Sequence, residues 1–456
     1  MADANATLIE GQLKVGWTSS PNTRGTLDIL TTWAFTIIVC SWNVLCINVP
    51  APSSKPSTLF WLKAYLVPLI WLGPEFILIM AIGQLLSARR SVEDFHSSGY
   101  TKWTIRLAFF ADMGGFVLKT PDWVPFPIDA KQLHYLVAKG YVAYPDATED
   151  TIRDRNKVDG SLRIITFCQI TWFLIVTIAR ALQHLEITGG DLTVVAYIIF
   201  TLITAFCWRH KPADVLTAIT IESKEDLREI LLQAGDCAQE PYQDTPLDFV
   251  SRREWPWSLY FQNWTNILRN MGINFGPHVR PVTRFHNTAF PVVEGKALLV
   301  SMGVTLVHSA IFVCGWNFSF PTHTEQILWR AASTTVLASV PVYWIITEFS
   351  FVFYPSIRRR LTSDLEKHTP LRSGSRHATN GITRGIKSFF ASCRNNSISK
   401  DPQLDIPLKA ILPMYILGVF YCHARVFVFV EDILQLRSLP PSAYQTVSWQ
   451  SFIPHF

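Results

Sequence analysis

Long apolar runs alternate with polar segments along the whole chain of 456 residues. Seven of these runs hold the roughly 20 mostly apolar residues that a membrane-spanning helix needs. They cover residues 29–48, 61–86, 161–182, 191–208, 296–314, 327–352 and 406–430. The pattern therefore predicts an all-α fold, a polytopic membrane helical bundle of about seven transmembrane helices. The turn HLEITGGD, with Asp191 as an N-cap, predicts that the third and fourth runs form a helical hairpin.

The Lys and Arg residues between the runs predict the orientation. The segments rich in these residues are 87–160, 209–295 and 353–405, whereas 49–60, 183–190 and 315–326 contain Lys55 and no other Lys or Arg. Loops that face the cytoplasm carry an excess of Lys and Arg. Seven spans then place the N-terminus in the cytoplasm and the C-terminus in the lumen, and we expect the membrane to be that of the endoplasmic reticulum.

The alternation divides the chain into nine regions. The membrane regions are 29–86, the hairpin 161–208, the pair 296–352 and the last span 406–430. The cytoplasmic regions are the N-terminal segment 1–28, an ordered loop 87–160, an interfacial segment 209–295 and a basic, flexible linker 353–405, and the lumenal tail is 431–456. Within the interfacial segment, residues 255–275 are dense in Trp, which predicts that they lie along the membrane surface.

Composition agrees with a membrane protein. Hydrophobic residues make up 49% of the chain and charged residues only 16%, against about 25% charged in an average soluble domain. The net charge of +5 is spread over several loops, so the sequence predicts no nucleic-acid partner. The eight cysteines form no CxxC pair and fall mostly in apolar runs, which predicts neither a zinc site nor a disulfide framework.

Glu75 interrupts the apolar stretch WLGPEFILIMAIGQ, residues 71–84. A charge at mid-membrane costs about 2.5–3.5 kcal/mol even on the lenient insertion scale, so intramembrane acids commonly mark function. Gly73 and Pro74 loosen the helix just before it. We expect a buried, protonated carboxyl that faces a cavity in the bundle and acts as a proton donor. The alternative is a protonated Glu75 that only joins neighbouring helices.

Two further residues are catalytic candidates. Glu348 lies in YWIITEFSFVF and His423 in PMYILGVFYCHARVFVFVEDIL. Two carboxyls in one cavity separate into an acid and a base, so Glu348 or His423 is a candidate base or orienting group for Glu75. A solvated Glu348 near the cytoplasmic end of its span is the simpler interpretation.

Three residues are candidates for substrate binding. Asp112 in ADMGGF faces either a pocket mouth or a capped turn, and Tyr415 is a polar aromatic residue in the last span. Arg425 in the same span is expected to pair with a buried acid, for which Glu75 or Glu348 would serve, in a role more structural than catalytic. His308 is a single polar residue in its span, the kind that most often joins helices.

Metal and cofactor motifs are absent from the sequence. It has no His-rich cluster of the membrane di-iron type, no HExxH and no P-loop. The acidic spacings in DATED and DTIRD, residues 146–154, overlap a predicted helix cap and have no partner motif. We therefore predict no metal and no cofactor.

Several stretches together resemble a large family of fungal integral membrane proteins. They are GPEF, ARRSVEDF, FFADMGGFVLKTPD, FPIDAKQLHYLVAKGYV, NKVDG, RIITFCQITWF and FCWRHKPADV, spread over residues 73–215. Most members look functionally unassigned. The activity that the resemblance implies is the metal-independent cyclisation of an epoxidised prenyl chain, as in meroterpenoid pathways of the ascofuranone type.

Two kinds of function follow from these observations. The first is a membrane-embedded terpene cyclase, an isomerase of fungal secondary metabolism. It would open the epoxide of a lipophilic prenylated phenol by acid catalysis, with membrane lipid as its surroundings. The second is a non-catalytic seven-span protein, either a transporter, a receptor or a scaffold that binds partners through the basic linker.

Overall fold

A computed structural model provides the architecture. It describes residues 6–9, 12–20, 24–55, 57–155, 160–239, 242, 244–251, 280–287, 291, 293, 295–349 and 408–449. The expected interfacial stretch 255–275 and the expected linker 353–405 lie outside the described residues. The described part is mostly helical, as the sequence predicts.

The N-terminal third begins with an antiparallel hairpin and continues into three long helices. The strands are β1 (Ala6–Ile9) and β2 (Gln12–Val15), and the helices are α1 (Thr26–Val44), α2 (Thr58–Leu72) and α3 (Pro74–Ser97). The break at Gly73 bends the chain by 113° between α2 and α3. The predicted second span, 61–86, is therefore two helices that run back on each other rather than one straight helix.

A small mixed unit follows α3. It contains α4 (Ile105–Asp112), β3 (Phe116–Lys119), β4 (Phe126–Ile128), α5 (Ala130–Ala138) and α6 (Glu149–Arg155), and later β5 (Ile219–Glu222), α9 (Leu227–Ala234) and α10 (Asp248–Ser251). The central strand β3 pairs antiparallel with β4 and parallel with β5. Asp129 and Gln132 form a capping box at the start of α5. At α6 the cap is Thr148, whose hydroxyl accepts from the Thr151 backbone N–H.

The membrane-type helices continue with α7 (Gly160–Leu182) and α8 (Gly189–Cys207), and then α11 (Lys296–Ala310), α12 (His323–Glu348) and α13 (Leu408–Leu434). A 3-10 helix, Ile311–Asn317, extends α11. Helices α7 and α8 follow each other across the predicted turn, but the N-cap of α8 is Thr188, with Asp191 as the third helical residue of a capping box.

Among the described residues, five helices are long and apolar enough to cross a membrane, and a sixth span is counted if the bent pair α2 and α3 is one. The five are Thr26–Val44, Ile164–Leu182, Gly189–Cys207, Lys296–Asn317 and Leu412–Arg437. A helix also occupies the predicted sixth span, but α12 is not among these five. Its first half contains Thr, Ser and Arg residues that lower its hydropathy.

The N-terminal and C-terminal segments meet at one end of the bundle. Val15 and Leu439 form a β-bridge with backbone hydrogen bonds of 2.8 and 3.0 Å. The buried Lys14 donates to the Phe320 carbonyl at 2.6 Å. The Arg180 guanidinium donates to the carbonyls of Ser442, Ala443, Gln445 and Glu186. The two terminal segments therefore lie at the same end of the helical bundle, whereas the sequence predicts termini on opposite sides of the membrane.

The loop between α1 and α2 lies at the other end of the bundle. The Val49 backbone N–H donates to the Met113 carbonyl at 3.0 Å, so this loop packs on the mixed unit. Segment 49–60 was expected on the side opposite to 87–160. The contact with Met113 corrects that expectation, because the two segments are at the same end.

Lys211 is buried where α8 meets the mixed unit. Its ammonium donates to the Gln84 side-chain carbonyl at 2.9 Å and lies 4.5 Å from the centre of the Trp208 ring. Burial lowers the pKa of Lys211 to about 8, and Cys46 and Asp112 oppose this shift. The ordinary pKa of a lysine is about 10.4. The folded protein thus holds a lysine that sheds its proton more readily than the unfolded chain does.

We expect this burial to make the free energy of unfolding depend on pH. The folded state favours the neutral Lys211 amine. The contribution of this neutral amine to the free energy of unfolding is fully present above the pKa of Lys211 in the unfolded chain and is lost as pH falls through about 8. The loss is on the order of 3 kcal/mol. In thermal unfolding in detergent from pH 7 to 10.5, the melting temperature of Lys211→Met should rise relative to that of the wild type as pH falls. Exposed Lys139→Met is the control, and identical pH curves for Lys211→Met and wild type would contradict the assignment.

Candidate functional site

The site is built around the break between α2 and α3. Pro74 has no backbone N–H, so the Ile70 carbonyl loses the donor that a continuous helix would provide. The Gly73 N–H still donates to Leu69 at 2.9 Å, but the bend also separates Trp71 from its helical donor. Two carbonyls are therefore free to accept hydrogen bonds in the interior of the bundle.

Side chains from two other helices replace the missing donors. The Tyr197 hydroxyl of α8 lies 2.6 Å from the Trp71 carbonyl oxygen and 3.4 Å from that of Ile70. The Arg425 guanidinium of α13 donates to the same Trp71 oxygen at 3.4 Å and to the Tyr197 hydroxyl at 3.2 Å. The break is thus held open by a buried cation and a buried phenol.

Glu75 begins α3 directly after the break and is 6% exposed. Three side chains bond its carboxyl. His308 Nδ1 lies 3.1 Å from Oε1, the Ser309 hydroxyl donates to the same oxygen at 3.1 Å, and the Tyr421 hydroxyl makes a short hydrogen bond to Oε2. The helix N-terminus adds a favourable field for a negative charge.

The three partners indicate how the protons are distributed. The hydroxyls of Ser309 and Tyr421 both donate to Glu75, and a ring N–H at His308 Nδ1 can do the same. Three donors that converge on one carboxyl favour its ionised form, whereas the sequence leads us to expect a neutral proton donor at this position.

His308 has one ring nitrogen left over. It is 1% exposed, and its Nε2 has no hydrogen-bond partner among the residues that the structure describes. A carboxylate bonded to Nδ1 fixes the orientation of an imidazole and stabilises its protonated form. Glu75 and His308 therefore form a dyad with Nε2 free to exchange a proton.

Aromatic rings surround the dyad. Phe76 makes edge-to-face contacts with Tyr343 and Tyr421, with ring centres 5.8 and 6.5 Å apart. The Arg425 guanidinium lies 4.6 Å from the centre of the Phe312 ring and 5.7 Å from that of Phe429. Rings in such positions stabilise positive charge in a site that excludes water.

Arg425 supplies the counter-charge of the site. It interacts electrostatically with Glu75, but its hydrogen bonds go to Trp71 and Tyr197. Arg425 thus interacts with the expected buried acid, Glu75, through its charge and makes no described hydrogen bond to it.

The other predicted residues lie elsewhere. His423 is exposed on the outer face of α13 and bonds its own helix at Val419, with 2.7 Å between Nδ1 and the carbonyl oxygen. Glu348 is half-buried at the end of α12 and is not among the described hydrogen-bond partners of Glu75. Tyr415 is half-buried one and a half turns before Tyr421 on α13.

Asp112 lies in the mixed unit and not at the dyad. Its Oδ1 accepts from the Ala130 backbone N–H at 3.1 Å, so the carboxylate joins the end of α4 to the start of α5. This is the capped-turn alternative for Asp112 rather than a pocket mouth.

The sequence did not single out His308, Ser309 and Tyr197 as site residues. Each is one polar residue in an apolar run, and nothing in one helix shows that it faces an acid on another. The sequence feature that indicates this site is the adjacent pair of His308 and Ser309. These are two hydrogen-bond donors in a span that contains no acid.

In the described part of the chain, no three His, Cys, Asp or Glu side chains are grouped so that they could hold a metal ion. The carboxyl and imidazole of the dyad can themselves transfer a proton and stabilise charge.

These features define a class: a mostly helical protein with five or six helices suited to crossing a membrane and a buried carboxylate–imidazole dyad. A model of the family of unknown function DUF8562 matches residues 4–238, and the chain belongs to this family. The match includes Glu75 and Tyr197 but ends before His308. No curated protein matches the chain, and no solved structure matches it.

Proposed function

We propose that this protein is a membrane-embedded isomerase of the terpene-cyclase type, which opens the epoxide of a lipophilic prenylated phenol and closes a ring. The observation that carries the proposal is His308, held by Glu75 through Nδ1 and left with a buried Nε2 that has no described partner. A substrate of this kind partitions into the bilayer and reaches a site between helices. The resemblance to fungal membrane proteins of secondary metabolism supports the choice of substrate class.

The reaction takes one proton from the protein to open the epoxide and gives one proton back when the ring closes. Protonated His308 gives the Nε2 proton to the epoxide oxygen, and the carbon–oxygen bond breaks as positive charge develops on carbon. An alkene or the phenol oxygen of the substrate attacks that carbon and closes the ring. The proton released on ring closure returns to Nε2, so the product is an isomer of the substrate and no cofactor is consumed.

The neighbouring residues support this proton transfer. The Glu75 carboxylate stabilises the imidazolium before transfer, and Ser309 and Tyr421 hold the carboxylate in place. Phe76, Tyr343 and Tyr421 offer ring faces to developing positive charge. The charge of Arg425 acts on the Glu75 carboxylate and balances it once His308 has given up its proton.

The proposal includes a membrane topology. Helices α1, α7, α8, α11, α12 and α13 would cross the membrane, and α2 and α3 would enter from the cytoplasmic side and return to it. Support comes from the bend of 113° and from the contact of Val49 with Met113. The basic mixed unit would face the cytoplasm, both termini would face the lumen, and the endoplasmic reticulum is the proposed membrane.

The test is product formation in yeast microsomes with an epoxidised farnesyl-phenol. We expect wild type to give an isomer of unchanged mass, and His308→Ala to lose about 10²- to 10⁴-fold in rate, the usual contribution of a positioned acid. Glu75→Gln should show a loss of similar order. His423→Ala, which removes an exposed histidine, is the matched control and should retain full activity.

Two outcomes would contradict the proposal. Product from His308→Ala at the wild-type rate would remove the dyad from the chemistry. No product from any variant, with all of them folded and equally abundant, would remove this substrate class and favour the transporter or receptor alternative.

A further inference from the structure

Four basic side chains lie where α3 and α8 of the bundle reach α4 of the mixed unit. Arg89 belongs to the last turns of α3, Arg106 to the first turn of α4, and Arg209 and His210 follow the end of α8. We call these four residues the basic cluster. It lies outside the dyad and has no part in the proposed reaction.

Helix packing brings the members close together, because α3 packs against both α4 and α8. Trp208 Nε1 and Lys211 Nζ, just after α8, donate to the Gln84 side chain of α3 at 3.0 and 2.9 Å. Burial lowers the pKa of His210, and the charges of Arg209 and Arg106 lower it further. Arg209 and Arg89 both interact with the Cys207 thiol at the end of α8. Residues from α3, α4 and α8 therefore share one region, although they are up to 121 positions apart in the sequence.

Among the described groups that act on His210, Glu149 is the acid, and it is exposed at the start of α6. The Nε of Arg106 is buried and has no hydrogen-bond partner among the described residues. A buried guanidinium N–H without an acceptor costs free energy, so an anion bound beside Arg106 would stabilise this region.

The location of Arg209 identifies the kind of anion. Its guanidinium donates to the Phe206 carbonyl at 3.0 Å and lies 4.4 Å from the centre of the Phe206 ring. Phe206 is 61% exposed on the last apolar turn of α8, a position that suits contact with acyl chains. The cluster therefore lies at the level where a membrane-spanning helix passes from hydrocarbon to headgroups.

We propose that the basic cluster binds the phosphate of an anionic phospholipid headgroup, with Arg106 and Arg209 as its principal ligands. Arginine binds phosphate through several N–H donors at once, and Phe206 would contact the first carbons of an acyl chain. The ligand is a lipid and not a soluble phosphate, because the apolar and the basic contacts adjoin. This site is independent of the proposed isomerase activity.

The experiment uses the purified full-length protein in detergent and native mass spectrometry with added lipid. We expect phosphatidylinositol to bind more tightly than phosphatidylcholine. Each arginine should contribute on the order of fivefold in affinity, so Arg106→Gln with Arg209→Gln should weaken phosphatidylinositol binding on the order of 20-fold. Lys139→Gln with Lys224→Gln removes the same charge from exposed positions of the mixed unit and should change little.

Three results would overturn the proposal. Equal affinity for phosphatidylcholine would show that the headgroup charge is not recognised. An equal loss in both double variants would show that net charge alone matters. Displacement of the lipid by inorganic phosphate at low millimolar concentration would assign the cluster to a soluble anion. A melting temperature close to that of the wild type must accompany each variant, and Arg209→Gln alone, at an exposed position, provides the measurement if the double variant fails to fold.

Discussion

Arg425→Leu should destabilise the folded protein by about 3–5 kcal/mol, the usual effect of removing one partner from a buried set of charges. The guanidinium is 1% exposed and donates to the Trp71 carbonyl and the Tyr197 hydroxyl. Its loss leaves the broken helix with fewer donors and leaves Glu75 without its counter-charge. The change should appear as a large fall in melting temperature, measured by size exclusion after heating in detergent.

A second variant separates charge from packing. Glu75→Gln combined with Arg425→Leu removes both charges, so the double variant should be less destabilised than the sum of the two single variants. Arg153→Leu, at an exposed position of α6, controls for the loss of an arginine. An Arg425→Leu protein as stable as Arg153→Leu would show that the buried cation is dispensable.

Glycosylation tags on the two termini should both be glycosylated, and each tag gives either a modified or an unmodified chain. The β-bridge of Val15 with Leu439 holds the two terminal segments at one end of the bundle, and the proposed topology assigns that end to the lumen. Each tag would carry a flexible spacer and an Asn-x-Thr acceptor, and endoglycosidase H sensitivity on an immunoblot would report modification against the untagged chain.

A third insertion serves as the control for sidedness. Gly140 lies in an exposed turn with a positive φ of 80° and open space around it, so a tag inserted there should leave the mixed unit intact. We expect this tag to stay unmodified in the cytoplasm. Modification of the C-terminal tag alone would restore the arrangement of seven spans with the N-terminus in the cytoplasm.

The apolar runs predict most of the helices because hydrophobic length is a property of the sequence alone. They do not predict the direction of the chain through 61–86. Those residues are apolar on both sides of Gly73, and a straight span and a bent pair have the same hydropathy. The dipeptide Gly73-Pro74 indicates a break, but the angle of the break is set by Tyr197 and Arg425 from helices far along the chain.

The error in orientation follows from the same break. If residues 61–86 are counted as one membrane crossing, every earlier segment is placed on the opposite side of the membrane. The loop before residue 61 and the N-terminus are then predicted at the wrong end of the bundle relative to the mixed unit. Loop charge did not correct this, because Lys55 is a single residue in a short segment.

Of the two dyad residues, Glu75 can be predicted from the sequence and His308 cannot. Glu75 is conspicuous because a carboxylate is rare in an apolar run. His308 is 233 positions away and resembles any other polar residue that joins helices. His423, in contrast, stands out in its span by composition, yet it faces outward because it lies two positions from both Tyr421 and Arg425, whose side chains point into the bundle.

The contact between the two terminal segments has a consequence for biosynthesis. Val15 is synthesised long before Leu439, its partner in the β-bridge, so this end of the bundle closes only after α13 has been made. Until then Arg180 lacks the carbonyls of Ser442, Ala443 and Gln445 that it bonds in the finished protein. A chain that stops before its final helix therefore leaves a buried arginine without most of its acceptors, a defect that quality-control machinery can detect.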